Sequence, residues 1–171
     1  GSISSIGEEI DRLDAKRALF CCTPGREEEV SSLIGPLDNI SAGLCAIAEQ
    51  YVPLPMVEKG RLLAKEQEAD CVVSYGGGTS VGLAKAIALE LEIPVISAVT
   101  TFSGSETTDL QAILTNGLRV GHKSDWMLPR TIIYDPETAM GVPLSIMIPS
   151  GVNAIAHGVE AFYAQGATPV N

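Results

Sequence analysis

Apolar positions open the chain at helical spacing. Ile3, Ile6, Ile10 and Leu13 recur behind a cluster of serines suited to capping, and predict an amphipathic helix over about 3–14. Arg17 to Cys22 reads as a short strand, closed by Thr23-Pro24-Gly25. An acidic helix follows over about 26–34 and stops at Gly35-Pro36. The stretch from Gly43 to Tyr51 suits a strand or a helix equally. Pro55 opens a helix over about 55–68, in the first-turn position where its missing N–H costs nothing.

The clearest unit comes next. Asp70 to Tyr75 is a near-continuous apolar run of the kind buried on both faces of a parallel sheet. Gly76-Gly77-Gly78-Thr79 interrupts it, and Ser80 to Leu91 predicts an Ala/Leu-rich helix. Pro94 to Ala98 is a further strand, followed by the polar loop Thr100–Glu106. Asn116-Gly117 joins Leu110–Thr115 to Leu118–His122 as a hairpin. Arg130 to Tyr134 predicts another strand, stopped by Asp135-Pro136. Pro149-Ser150 marks the start of a last helix over about 151–165. Alternation of strand and helix predicts an α/β fold, a mostly parallel Rossmann-like sheet with helices on both faces and right-handed crossovers.

Composition narrows what such a fold can do. The 171 residues are 46% hydrophobic with mean hydropathy +0.23, enough for one packed core and incompatible with disorder. Eleven Lys and Arg against 21 Asp and Glu leave a formal charge of −10. That balance disfavours phosphate backbones and anionic membrane surfaces, so neither a nucleic-acid nor a membrane partner is expected. No apolar run reaches the roughly 18–20 residues of a helical membrane span. Aromatic residues make up 5%, too few for a stacking platform. Cys21, Cys22, Cys45 and Cys71 form no Cys-x-x-Cys pair and read as small core residues in a reducing compartment. With no signal peptide ahead of the first predicted helix, a cytoplasmic location is expected.

Three places can carry chemistry. Gly76, Gly77, Gly78 and Thr79 lie between a buried strand and a helix start, where bare backbone N–H groups and the helix dipole favour a phosphate. The segment matches neither G-x-G-x-x-G nor a Walker loop, and such a turn can also be purely structural. Thr100 to Glu106 offers four hydroxyls and a carboxylate on the same sheet edge, or else a solvated turn. Asn153 and His157 stand four apart on one helix face. Asn is a poor transition-metal ligand and the other histidine, His122, is in the hairpin, so no metal is expected.

These segments, with Leu83-Ala84-Lys85, Gly104-Ser105-Glu106, Leu128-Pro129-Arg130 and the run from Ser150 through Glu160-Ala161, resemble the iron-type alcohol dehydrogenase superfamily. The likeness is greatest to its maleylacetate reductase branch and runs nearly end to end. It implies a dehydroquinate-synthase-like dinucleotide-binding domain over 1–148. It further implies that 149–171 begin an all-helical domain whose remainder, like the family's first strands, is absent. Gly76, Gly77, Gly78 and Thr79 would hold the cofactor pyrophosphate, with Thr100, Thr101 and Ser105 lining the cofactor. Thr23 would face the adenosine ribose where an Asp selects the unphosphorylated cofactor, so the cofactor is NADH or NADPH. Arg119 stands where many members have a lysine, Val99 replaces a proline, and Gly82 replaces an aspartate. Asn153, with His157, replaces the Asp of metal-dependent members, as in the metal-free branch; His157 and Asn153 are the expected catalytic residues.

The implied activity is hydride transfer from NAD(P)H to a small unsaturated or keto carboxylate, as in maleylacetate reduction. Two other readings stay open. The chain could be a shortened, cofactor-independent isomerase or cyclase, completed as a homodimer through Met140, Val142, Leu144, Ile146, Met147 and Ile148, although core burial explains those residues equally. It could also be a non-catalytic nucleotide-binding module.

Overall fold

The computed structural model describes residues 2–37 and 39–165. The expected segment 149–171 is described as far as 165. In chain order the elements begin α1 (Ile6–Arg12), β1 (Ala18–Cys21), α2 (Glu27–Ile34), β2 (Ser41–Cys45), α3 (Leu54–Glu66), β3 (Cys71–Gly76) and α4 (Gly78–Leu91). They continue with β4 (Val95–Val99), the hairpin β5 (Leu110–Thr115) and β6 (Leu118–Lys123), then β7 (Thr131–Tyr134), α5 (Pro136–Met140) and α6 (Leu144–Ala161).

Five strands form one parallel sheet in the order β2-β1-β3-β4-β7. Leu19 pairs with Val72, and Val73 with Ile96, so the centre of the sheet is mostly apolar, and its two buried serines, the paired Ser74 and Ser97, hydrogen-bond each other at 3.0 Å. Period-two alternation sends Leu19, Cys21, Val72 and Val95 to one face, against α3 and α4. Ala18, Phe20, Val73 and Ile96 point to the other, against Ile6, Ile10 and Val30 of α1 and α2. Both faces are thus covered, which is the expected fold class. All four cysteines are buried and unbridged, as their composition implied. Among the described residues no helix is long and apolar enough to cross a membrane.

The structure corrects the bounds of the first and last helices and refines two other local expectations. The N-terminal helix is shorter than 3–14. Ser2–Ser5 form a 3-10 turn, and the serines turn their side chains elsewhere, Ser5 Oγ to the Ser2 carbonyl and Ser2 Oγ to the Tyr134 carbonyl. The ambiguous stretch contributes the short strand β2 at its start. Asp135-Pro136 ends β7 and also starts α5, because the Asp135 side chain accepts the Glu137 N–H at 3.0 Å. The last helix begins at Leu144, behind Pro143, and Pro149 sits inside it. Pro149 has no N–H for the Ser145 carbonyl, yet φ near −65° is compatible with continuing the turn.

Candidate functional site

In a parallel sheet the connections from neighbouring strands diverge where the strand order reverses, and a crevice opens at the carboxyl ends. Here that point lies between β1 and β3. The ends of these two strands are Thr23 and the glycine turn, and both line a cavity of about 200 Å³ together with Arg26, Thr100, Thr101 and Ser150.

The turn's glycines are required by close approach. Gly76 has φ +137°, a conformation that side chains resist. A Cβ on Gly77 would stand 2.7 Å from Thr101 Oγ1, and one on Gly78 would stand 3.0 Å from Ser103 Cβ. Gly77 is the N-cap of α4 and caps nothing by a side chain. Ser80 and Val81 donate back to the Gly77 carbonyl, whereas the N–H groups of Gly78 and Thr79 precede the first intrahelical acceptor. Ser80 Oγ, one turn into the helix, is buried without a hydrogen-bond partner among the described residues. A cradle that side chains would fill, floored by free N–H groups, fits a pyrophosphate. The dipole of the 14-residue α4 adds to that fit.

Two further cavities adjoin this cradle. One, of about 550 Å³, shares Gly78 and Thr79 with it and adds Ser105, Arg119 and His122. Arg119 lies over the Tyr51 ring, 5.8 Å from its centroid. Tyr51 and Val52 are consecutive left-handed residues at φ 67° and 51°, an outlying conformation for a β-branched side chain. The other cavity, about 430 Å³, shares Thr100 and Thr101 and is walled by Phe102, Tyr134, Met140 and Met147. The three form one cleft along the carboxyl edge of the sheet, polar in the middle and apolar at one end.

Electrostatics at the cleft are set by a few buried groups. Tyr75, the residue before the turn, donates its hydroxyl to Glu29 Oε1 at 2.5 Å, and Arg26 pairs with Glu29 Oε2 at 2.8 Å while lying over the Tyr75 ring. Burial and then the Glu29 bond hold the Tyr75 phenol far above its ordinary range. Glu106, also buried, accepts from Ser103 Oγ and Tyr134 OH. Lys85 on α4 is fully buried, and burial pulls its ammonium down to about 8, against the opposing pull of Asp109 and Glu106.

Every residue expected at the cofactor therefore lines this cleft: Thr23, Gly76, Gly77, Gly78, Thr79, Thr100 and Thr101 at the cradle, Ser105 and Arg119 beside it. Asn153 and His157 do not. They lie on α6 with exposed side chains, and His157 Nδ1 is 4.0 Å from Glu160. The first half of α6 lines the cleft through Ile146, Met147 and Ser150, and Ser150 Oγ accepts the Phe102 N–H at 2.8 Å. Among the described residues no three His, Cys, Asp or Glu side chains gather as a metal site. Sequence reasoning missed Arg26, Lys85 and the Tyr51–Val52 strain. For Lys85 a signal existed, a lone cation inside the apolar run Leu83 to Ala88.

Comparison with known proteins gives a consistent picture. The model of the family described as iron-containing alcohol dehydrogenase matches residues 1–136. The maleylacetate reductase of Burkholderia cepacia is 39% identical over 170 residues, covering 99% of this chain and 48% of that protein. Crystal structures of maleylacetate reductases superpose closely: that from Agrobacterium tumefaciens with TM-score 0.94 at 37% identity, and that from Rhizobium sp. strain MTP-10005 with TM-score 0.94 at 38% identity. Each alignment covers 99% of this chain and 49% of the other. The chain spans about half the length of the curated relatives it matches.

Proposed function

The chain belongs to the iron-containing alcohol dehydrogenase family, and from that premise we propose that it is the dinucleotide-binding half of an NAD(P)H-dependent reductase of the maleylacetate reductase type. The glycine turn at the β1/β3 switch point carries this reading, because its shape excludes side chains and its floor is N–H groups. The N–H groups of Gly78 and Thr79 would hold the pyrophosphate, with Gly76 and Gly77 permitting the approach. Thr100 and Thr101 would line one side, Ser105 and Arg119 the other, and Thr23 would face the adenosine ribose. With no acid at Thr23 to repel a 2′-phosphate, either NADH or NADPH is accommodated.

When bound, the reduced nicotinamide supplies a hydride to a small unsaturated or keto carboxylate. The chain's own part is to orient the cofactor and keep the cleft dry. His157 would handle the proton delivered to substrate, with Asn153 one turn earlier on α6 in place of a metal-binding carboxylate. Both are exposed on α6, so on this reading the helical half, beginning at 149, encloses them. Met140, Leu144, Ile146 and Ile148 are exposed as well, and an assembly that covers them is part of the proposal. We take that assembly to be a homodimer in the cytoplasm, acting on a small molecule without nucleic acid or membrane.

Titration of the chain with NADH and NADPH, followed by nicotinamide fluorescence, tests the reading. Saturable binding in the micromolar range supports it. Absence of binding to either at millimolar concentration overturns it and favours a cofactor-independent isomerase or cyclase. Light scattering tests the dimer, which predicts twice the chain mass.

A further inference from the structure

Lys85 is an anomaly in α4. It lies in the run Leu83 to Ala88, whose other members are apolar, and its side chain is fully buried. A buried ammonium is costly unless bonded and compensated. Its Nζ donates to the Ser105 carbonyl at 2.8 Å and to Thr108 Oγ1 at 3.0 Å, and Thr108 Oγ1 in turn donates to the Ser105 carbonyl at 3.1 Å. Glu106 and Asp109 are the charged groups that act on it, both favouring the cation. One lysine therefore straps together both ends of the 3-10 turn Ser105–Thr107.

That turn is the wall of the glycine cradle. Ser103 Cβ stands 3.0 Å and Ser105 Cβ 3.9 Å from where a Cβ on Gly78 would be. Lys85 follows Gly78 by seven residues, nearly two full helical turns, so both lie on one face of α4, about 10 Å apart along its axis. The helix thus reaches up through Lys85 to the same loop that its own N-terminus packs against. Glu106 extends the strap to Tyr134 at the mouth of the apolar cavity.

We propose that Lys85 is a positioning residue for the phosphate cradle, its cation fixing Ser103–Thr108 against Gly78 so that the N–H groups of α4 meet an anionic ligand in a site of set width. The proposal rests on the dinucleotide reading above and deepens it. A packing role alone would be met by an uncharged side chain of similar length. A positioning role through charge makes affinity depend on the proton at Nζ. Affinity is then full below about 8 and falls as pH rises above it.

The test uses Lys85→Met and Lys85→Arg beside the wild-type chain, with NADPH affinity measured by fluorescence at pH 7 and 9.5. Hydrogen exchange of residues 103–109 is followed without ligand. Lys85→Met is expected to weaken NADPH binding about tenfold at pH 7, the scale of one hydrogen bond to a charged group, and to speed exchange in 103–109. Lys85→Arg is expected to restore most of the affinity and to keep it at pH 9.5, where the wild type loses it. Unchanged affinity in Lys85→Met, or one pH profile shared by wild type and Lys85→Arg, overturns the proposal while leaving the dinucleotide reading intact. The second criterion holds even if Lys85→Met does not fold. A wild-type chain that binds no NADPH removes the dinucleotide reading and this proposal with it.

Discussion

Thr101 stands so close to Gly77 that a methyl group added to the glycine would lie 2.7 Å from the threonine Oγ1 and 2.8 Å from its Cγ2. The contact joins the loop after β4 to the turn after β3 and sets how narrow the cradle is. Gly77 has φ −89°, an ordinary value, so the demand for glycine here is one of space. Gly77→Ala is expected to push Thr101 aside, costing about 1–3 kcal/mol of stability by overpacking. NAD(P)H affinity should fall at least about tenfold, the factor that corresponds to 1.4 kcal/mol. Urea unfolding and cofactor titration of the same variant separate the two effects.

Cofactor choice is the second expectation. Thr23 ends the β1 edge of the cradle and carries no charge. Thr23→Asp places a carboxylate where the adenosine ribose is proposed to lie. It is expected to lower the affinity for NADPH relative to NADH by about tenfold, through repulsion of the 2′-phosphate. The ratio of the two dissociation constants reads this directly, and an unchanged ratio removes Thr23 from the ribose site.

Gly82 stands where the family resemblance implies an aspartate after the glycine turn. A Cβ there would lie 2.7 Å from Val52 Cγ2 and 3.0 Å from the Gln111 side-chain amide. Val52 is held in its left-handed backbone conformation and has little freedom to retreat. Gly82→Asp should therefore cost about 1–3 kcal/mol by overpacking, before any penalty for a buried carboxylate. A denaturant midpoint that does not fall contradicts the packing described.

Stability should fall in alkali for a reason written into the sheet. Burial raises the Cys71 thiol from 9.0 to about 12 and the Cys22 thiol to about 11. Above pH 9 the unfolded chain releases these protons while the folded chain keeps them. The stabilisation is thus complete below pH 9 and is lost as pH climbs towards 11–12. Each thiol contributes a slope of up to about 1.4 kcal/mol per pH unit. Lys85 acts in the opposite sense between about 8 and 10.5, because its folded form releases its proton first. Cys71→Ala should flatten the loss measured by urea unfolding between pH 9 and 11.

What was legible in the chain and what was not divides along physical lines. The unit β3–glycine turn–α4 could be read directly, since a buried parallel strand is mostly apolar and three glycines in a row mark the break between strand and helix. Asn116-Gly117 marked its hairpin equally well, and both residues have positive φ in the structure. The stretch from Gly43 to Tyr51 was ambiguous, and the strand β2 that enters it contains no β-branched residue and takes its conformation from pairing with β1. Pro149 misled because proline more often opens a helix than sits inside one. Arg26 pairs locally with Glu29, but its place over the Tyr75 ring, like the bonds of Lys85 to Ser105 and Thr108, is made only once distant segments are assembled. Asn153 and His157 were legible as a pair on one helix face, and the structure leaves that pair exposed.

The proposed function requires that a pyrophosphate rest on the start of α4. Backbone amide chemical shifts of the 15N-labelled chain, followed during titration with NADPH, address it most directly. Saturable shifts are expected at Gly77, Gly78 and Thr79, with Thr100 and Thr101 moving on the same binding curve. Unmoved amides at those positions at millimolar NADPH, or saturable shifts confined to another part of the chain, would contradict it.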